Sequence, residues 1–175
     1  MTDEYRLRTM TEGDLEQVLE WRNHPDVRRY MYTTHEISLD EHRKWFAGAS
    51  INLAIDLMIY EKDGEGLGFI NFTRTRCPEV ADWGFYLAPH APKGTGRSLG
   101  NHALALAFRS LGLHKVCGQA LGFNDRSIAF HKAQGFTKEG RLRNQHFDGK
   151  EFHDVVCFGL LKHEWQNKIE DLNDE

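Results

Sequence analysis

The sequence has little cysteine, no long apolar run and no excess of positive charge. Its three cysteines are Cys77, Cys117 and Cys157. An odd number of widely spaced cysteines is a poor disulfide framework and a poor zinc site, so we expect free thiols in a reducing compartment. The ten histidines are scattered and contain no HExxH motif. We therefore predict no metal.

Three further absences indicate the compartment of the protein and exclude two classes of partner. No apolar run reaches the roughly 18 residues that a membrane-spanning helix needs, so we expect no membrane partner. The first residues, Met1 to Arg6, lack the basic and then apolar pattern of a secretory signal, which predicts a cytoplasmic protein. Lys and Arg number 22 against 26 Asp and Glu, for a net charge of −4. Because nucleic-acid binding needs a basic field, we expect no nucleic-acid partner.

What the chain does contain is the composition of an ordinary globular domain. Its 175 residues are 40% apolar and 27% charged. Neither an internal repeat nor a linker interrupts it, so we predict one domain over residues 1–175, with a polar C-terminal tail over about 163–175 that forms a short helix.

The order of the predicted elements indicates the fold class. Apolar alternation predicts strands at 5–9, 53–60, 67–75, 80–87, 115–121, 137–147 and 151–161, with a turn over Asp63–Gly66. Helical spacing predicts helices after Thr11, from Pro25, from a capping box at Ser38, from about Gly96, and over 126–134. Strands come first, and a strand–loop–helix–strand–helix–hairpin order follows. This order predicts an α+β domain with a mixed sheet.

The loop from Ala91 to Leu99 joins a strand to a long apolar helix. Glycines at 94 and 96 let the backbone approach a ligand, and a helix N-terminus exposes N–H groups that bind phosphate oxygens. Lys93 and Arg97 add full charges beside it. The loop is neither a Walker A motif nor a GxGxxG fingerprint, and a glycine-rich turn of this kind, taken alone, is more often a plain turn than a phosphate site.

A second segment, from Asn124 to Phe136, follows a strand and fills a helix that ends at Gly135. The loop resembles the pyrophosphate-binding motif (Q/R)xxGxG/A of the GCN5-related N-acetyltransferases, the GNAT family. The second segment resembles the Nxx(A/S)xxx(Y)xxxGF stretch of the same family, in the expected order. The sequence departs from the family at Ala91, where Gln or Arg is usual, and at His131, where Tyr is usual.

The resemblance implies a GNAT fold and acetyl-CoA as co-substrate. In that fold a mostly antiparallel sheet of about seven strands has flanking helices, and the parallel strands 80–87 and 115–121 splay apart around the pantetheine arm. Backbone near Tyr86 would pair with pantetheine like an added strand, and Asn124 would bond the arm. The implied cofactor-binding residues are Phe85, Leu87, Lys93, Gly94, Thr95, Gly96, Arg97, Ser98, Asn124, Ser127 and Lys132.

The implied reaction is direct attack of an amine on the thioester in a ternary complex. The amine must lose a proton, the carbonyl oxygen must be stabilised, and the departing thiolate must be protonated or tolerated. His131 occupies the position of the family's acidic Tyr, and an imidazolium with a pKa near ~6.5 is a better acid than a phenol. An exposed helix histidine is the alternative. Tyr86 is expected to orient the amine or its water. No carboxylate base emerges, and Gln119 and His42 are weak candidates for that role.

The acceptor is predicted from the segment after the first helix. The string WRNHP at 21–25, with MYT at 31–33 and ISL at 37–39, resembles acetyltransferases of the pseudaminic acid pathway of flagellin glycosylation. The resemblance implies the 4-amino group of a UDP-linked amino-deoxy sugar as acceptor. Expected contacts are phosphate oxygens at Arg22, His42 and Arg74, an apolar wall of Met31, Tyr32 and Trp45, and a water held by Gln119. Each of these residues also has a structural alternative. Arg22 could neutralise a helix C-terminus, and the core could hold His42, Met31 and Trp45.

Three other functions remain open. Rim-type acetyltransferases of protein N-termini share the WRN pattern and the EGRLR element at 139–143. A polyamine or drug acceptor is a second alternative. A non-catalytic acyl-CoA sensor is the third, because His131 replaces the family Tyr. The last hairpin is a candidate surface for a homodimer.

Overall fold

The structure, a computed structural model, describes residues 4–173. Within this range lie seven strands and six α-helices. The strands are β1 (Tyr5–Thr9), β2 (Ile55–Lys62), β3 (Glu65–Arg74), β4 (Val80–Leu87), β5 (Lys115–Leu121), β6 (Thr137–Phe147) and β7 (Phe152–Leu161). The helices are α1 (Leu15–Asn23), α2 (Pro25–Arg28), α3 (Leu39–Ala49), α4 (Thr95–Ala105), α5 (Asp125–Gln134) and α6 (Lys162–Asn173).

The strands form a mixed sheet in the order β1-β2-β3-β4-β5-β7-β6. Strands β4 and β5 are parallel, whereas β1–β2, β2–β3, β5–β7 and β6–β7 are antiparallel. The predicted fold class, a mixed and mostly antiparallel seven-stranded sheet with flanking helices, is therefore confirmed.

The parallel ladder between β4 and β5 is short. It pairs Val80 with Lys115, Ala81 with Val116, and Asp82 with Cys117. Among the described residues the register goes no further, although β4 continues to Leu87 and β5 to Leu121. The splay of these two strands stays a prediction.

The chain falls into two compact units. The first comprises the residues up to Thr73 and Trp83–Ala103, and the second comprises Arg74–Asp82 and the residues from Leu104 onward. The single domain expected from the sequence stays a prediction. The core of the first unit joins α1, α3 and the central strands through residues such as Val18, Trp21, Phe46, Ile59 and Phe69.

The second unit has its own apolar core. Phe108, Leu113, Val116, Phe158 and Leu160 are each at most 1% exposed. Burial alternates along β5 as far as Ala120, whereas β7 is buried at every residue from Val155 to Leu160 except Cys157, as expected for a strand that is covered on both faces.

Local sequence signals fix several boundaries. Ser38 Oγ accepts a hydrogen bond from the Glu41 amide at 3.2 Å, as the predicted capping box requires. Gly135 ends α5 with a φ of 97°. The predicted turn over Asp63–Gly66 is shorter in the structure, since Asp63 (φ 50°) and Gly64 (φ 85°) alone make a tight hairpin.

The long apolar helix changes character before its end. After α4, residues Leu106–Ser110 form a π-helical segment, in which the Leu111 amide donates to the Leu106 carbonyl at 2.9 Å. The sequence pattern alone cannot register this change, because helical apolar spacing continues through it. The predicted tail helix begins at Lys162, and residues 174–175 lie outside the described range. None of the described helices has the length and apolarity needed to span a bilayer.

Candidate active site

The glycine-rich loop ends at the first turn of α4, in the first unit. Gly94 has a φ of 97°, a conformation that side-chain-bearing residues rarely adopt. Thr95 caps the turn by donating its hydroxyl to the Pro92 carbonyl at 2.7 Å, and the Ser98 amide donates to the Gly94 carbonyl at 3.2 Å. Lys93 and Arg97 are exposed beside this turn. The predicted residues 93–98 are thus gathered around amides with positive character, an arrangement that suits an anion.

The predicted strand residues Phe85, Tyr86 and Leu87 are half-buried at the end of β4. The Tyr86 ring lies 5.1 Å from the Phe69 ring. Burial raises the pKa of Tyr86, and the nearby Arg22 opposes that rise only partly. Tyr86 is therefore un-ionised at neutral pH and can donate a hydrogen bond, as the predicted orienting role requires.

Arg22, His42, Trp45 and Tyr86 come together in the first unit. The His42 ring stacks on Trp45 at 5.1 Å, and the Trp45 ring meets Phe69 edge-on at 6.0 Å. His42 is 4% exposed, whereas Trp45 is 41% exposed, so the stack runs from the core to the surface. The charge of Arg22 acts on both Tyr86 and His42.

The segment predicted to form an apolar wall is attached to this cluster. Arg22 Nη2 donates to the Thr33 carbonyl at 3.0 Å, directly after Tyr32. Tyr32 is 52% exposed, and Met31 is half-buried. Met31 and Tyr32 are therefore accessible enough to contact a ligand. The alternative that Met31 and Trp45 are core residues does not agree with the exposure of their side chains.

Two polar atoms of the cluster are buried without a hydrogen-bond partner in the described part of the chain. They are Arg22 Nη1 and His42 Nε2. Burial lowers the pKa of Arg22, which nevertheless remains a cation at neutral pH. A buried guanidinium nitrogen without an acceptor is costly, and such atoms commonly serve a ligand.

The state of His42 follows from its surroundings. Burial lowers the pKa of His42, the Leu15 carbonyl raises it, and the Arg22 charge lowers it further. The ring is therefore mostly neutral at pH 7. Its Nε2 has no partner in the described part of the chain, so it is available to a hydrogen-bonding group of a ligand.

In the second unit, His131 is 1% exposed, so the exposed-histidine alternative is wrong. Its ring stacks on Phe158 at 4.8 Å, and Nδ1 lies 2.8 Å from the Ser127 carbonyl. Because a carbonyl only accepts, Nδ1 carries a hydrogen. Burial lowers the pKa of His131, although the Ser127 carbonyl opposes this. The ring is mostly neutral at pH 7, which restricts an acid role to the minor protonated form.

The remaining predicted residues of α5 lie at its start and on its exposed side. Asn124 Oδ1 accepts from the Ser127 amide at 3.1 Å, which leaves the Asn124 amide hydrogens for a ligand. The Ser127 hydroxyl is 3.5 Å from His131 Nδ1, and Lys132 is exposed.

Two predicted acceptor residues also belong to the second unit. Arg74 Nη2 donates to the Leu111 carbonyl at 3.4 Å. Gln119 is exposed on β5, where its Cα partner on β7 is Cys157. Neither residue belongs to the first-unit cluster around Arg22.

Sequence reasoning missed Asp82, the last β4 residue in the parallel ladder. No hydrogen bond or ion pair to its carboxylate is formed within residues 4–173. Desolvation raises the pKa of Asp82, whereas those of Asp14, Glu61, Glu79, Asp148 and Asp154 are lowered. Strand alternation, which places Asp82 on the same side of β4 as Tyr86, is the signal that was available in the sequence.

Three potential metal ligands, Asp148, Glu151 and His153, meet at the last hairpin. Asp148 already accepts from the Lys150 and Glu151 amides and from His153 Nε2 at 2.6 Å. These hydrogen bonds stabilise the hairpin turn and explain why the three side chains lie together. The three cysteines are free thiols, as predicted.

The chain matches the acetyltransferase (GNAT) domain family over residues 5–137. The SPbeta prophage-derived uncharacterized N-acetyltransferase YokL of Bacillus subtilis is 34% identical over 87 residues. That match covers 48% of this chain and 49% of YokL, so the chain spans about half the length of that relative. Acetyltransferase PseH of Campylobacter jejuni is 25% identical over 138 residues, which are 75% of this chain and 84% of PseH.

A third relative is similar over the whole chain. Spermidine N(1)-acetyltransferase of Vibrio cholerae is 25% identical over 173 residues, which are 97% of this chain and all of the relative. A crystal structure of spermidine N-acetyltransferase from Vibrio cholerae in complex with CoA and spermine superposes with a TM-score of 0.85 at 24% identity, covering 93% of this chain and 98% of that one. At this identity the likeness establishes the shared fold.

Proposed function

The chain belongs to the acetyltransferase (GNAT) family, whose members take an acetyl group from acetyl-CoA, and we propose that its acceptor is the 4-amino group of a UDP-linked amino-deoxy sugar. N-acetyl transfer from acetyl-CoA is the family's chemistry. The choice of a sugar nucleotide as acceptor is the more specific part of the proposal. It is supported by the likeness to PseH and by the character of the cluster around Arg22.

The observation that carries the acceptor is the buried, unpartnered Nη1 of Arg22. A buried guanidinium favours an anionic or carbonyl oxygen and disfavours a cation. A UDP-sugar supplies such oxygens on its diphosphate and its uracil. A polyamine supplies only cationic or neutral amines. His42 Nε2, which is also buried without a partner in the described part of the chain, offers a second polar atom to the same ligand.

Each group of the proposed mechanism has a defined task. Amides at the start of α4 bind the coenzyme diphosphate, and Tyr86 orients the amine. We assign Asp82 as the base that accepts the proton of the attacking amine, because its exposed carboxylate lies on the same side of β4 as Tyr86 by strand alternation and desolvation raises its pKa. As the C–N bond forms and the C–S bond breaks, a β4 amide stabilises the carbonyl oxygen. His131, when protonated, gives its proton to the leaving thiolate.

A polyamine acceptor is the second candidate. A cleft of about 390 Å³ beside α1 is lined by Glu16, Glu20 and Glu36, and carboxylates suit amines. The full-length similarity to a spermidine acetyltransferase favours the same reading.

Acceptor choice is tested by thiol release from acetyl-CoA with three acceptors supplied separately. These are the UDP-linked 4-amino sugar, spermidine, and a peptide with a free N-terminus. We expect turnover with the sugar nucleotide alone. Turnover with spermidine alone would replace the proposal by the polyamine reading, and turnover with the peptide alone by the N-terminal one. CoA binding without turnover of any amine would favour a sensor.

A further inference from the structure

The coenzyme-binding turn of α4 is anchored in the first unit by a residue outside the family motifs, Tyr60 on β2. Its hydroxyl oxygen lies 2.6 Å from Ser98 Oγ, and its ring is 0% exposed. Ser98 is the fourth residue of α4, within the turn whose amides face an incoming diphosphate. The contact joins residues 38 positions apart.

The floor beneath this turn is a cross-strand pair. Tyr60 is the register partner of Gly68 on β3, and Leu99, which follows Ser98, packs over Gly68. A Cβ atom at Gly68 would lie 2.9 Å from Leu99 Cδ1 and 3.1 Å from the Tyr86 carbonyl oxygen. Position 68 therefore has no room for a side chain, because the turn and β4 both approach it closely.

A second contact holds the same turn from the exposed side. His102 Nδ1 donates to the Ser98 carbonyl at 2.9 Å, and the His102 ring lies 5.4 Å from the Tyr60 ring. Tyr60 thus contacts both the hydroxyl of Ser98 and the side chain that binds the Ser98 carbonyl.

The direction of the Tyr60–Ser98 bond follows from hydrogen-bond accounting. Tyr60 makes no other hydrogen bond in the described part of the chain, and a buried phenol hydrogen needs an acceptor. The phenol is also the stronger acid of the two hydroxyls, so Tyr60 donates and Ser98 Oγ accepts. The hydrogen of Ser98 is then left for another acceptor.

We propose that Tyr60 is a positioning residue for the coenzyme: it donates to Ser98 Oγ and so directs the Ser98 hydroxyl hydrogen toward a diphosphate oxygen. The proposal rests on the proposed use of acetyl-CoA. It assigns Tyr60 no contact with the reacting atoms. Its effect is on affinity for the diphosphate, and not on the chemistry of the thioester.

The test compares Tyr60→Phe with wild type for CoA and for a donor without a diphosphate. We expect Tyr60→Phe to weaken CoA binding about tenfold in calorimetry, since the Ser98 hydroxyl is then no longer directed toward the diphosphate and its charge-assisted hydrogen bond is weakened or lost. The same variant should keep kcat/KM for S-acetylpantetheine within about twofold, because that donor cannot use the Ser98 hydroxyl. Ser98→Ala should match Tyr60→Phe, the double variant should be no worse than either, and Ser98→Thr should retain binding.

Tyr5→Phe is the matched control. Its ring stacks on Tyr60 at 5.7 Å, and the substitution leaves the Tyr60–Ser98 bond in place. Unchanged CoA binding by Tyr60→Phe would overturn the proposal. An equal loss with both donors would also overturn it, because Tyr60 would then only support the fold. A wild-type protein that binds no CoA would overturn the proposed function and this inference with it.

Discussion

Replacing Arg22 by Met tests the acceptor most directly. The substitution keeps the volume of the side chain and removes its charge. Arg22 Nη1 has no partner in the described part of the chain, and Nη2 donates to Thr33. If Nη1 binds a substrate oxygen, the variant loses one charge-assisted hydrogen bond, worth roughly 1.5–3 kcal/mol. We therefore expect kcat/KM for the UDP-amino sugar to fall about 10- to 150-fold.

Stability should respond differently from activity. Arg22 forms no ion pair within residues 4–173, so its removal relieves a desolvation cost and breaks only one bond to a carbonyl. We expect the Tm of Arg22→Met to stay close to that of wild type or to rise. A purely structural role at the end of α1 would instead lower Tm.

The assay follows thiol release at saturating acetyl-CoA while the acceptor concentration is varied. Arg29→Met is the control, because Arg29 lies nearby with a side chain that is 60% exposed and pairs with Asp26. The KM for acetyl-CoA should be unchanged in both variants. An unchanged kcat/KM for the sugar nucleotide in Arg22→Met would refute the assignment of Arg22.

Three further predictions concern the reaction and the donor. Asp82→Asn should lower kcat about 10²- to 10⁴-fold with little change in either KM, and an unaffected kcat would remove Asp82 as the base. For His131, the acid is the protonated ring, whose pKa is lowered by burial, so the kcat of wild type should decline as pH rises above that pKa. His131→Phe should abolish this pH dependence, and His131→Tyr should retain turnover. If the kcat of wild type does not change between pH 6 and pH 9, the acid role is excluded. Gly96→Val places a branched side chain at the first turn of α4 and should raise the KM for acetyl-CoA several-fold without lowering Tm, a result to be checked by initial rates and thermal unfolding.

Much of the fold is encoded locally and could be predicted. Apolar alternation located β5 and β6 to the residue, and the capping signal at Ser38 located the start of α3. These predictions succeeded because alternation and capping depend on residues within a few positions of one another. The turn at Asp63 was predicted too long because its length depends on two positive φ values, which residue type indicates but does not fix.

The candidate site also has a part that is encoded locally and a part that depends on packing. The loop at 93–98 and the segment from Asn124 are local motifs, so the sequence by itself determined the family and the donor. The tertiary structure alone decided that Arg22 Nη1 is buried without a partner, that His131 is enclosed by aromatic rings, and that Tyr60 reaches Ser98. Burial and hydrogen-bond partners are properties of residues distant along the chain, and they become defined only when packing brings those residues into contact.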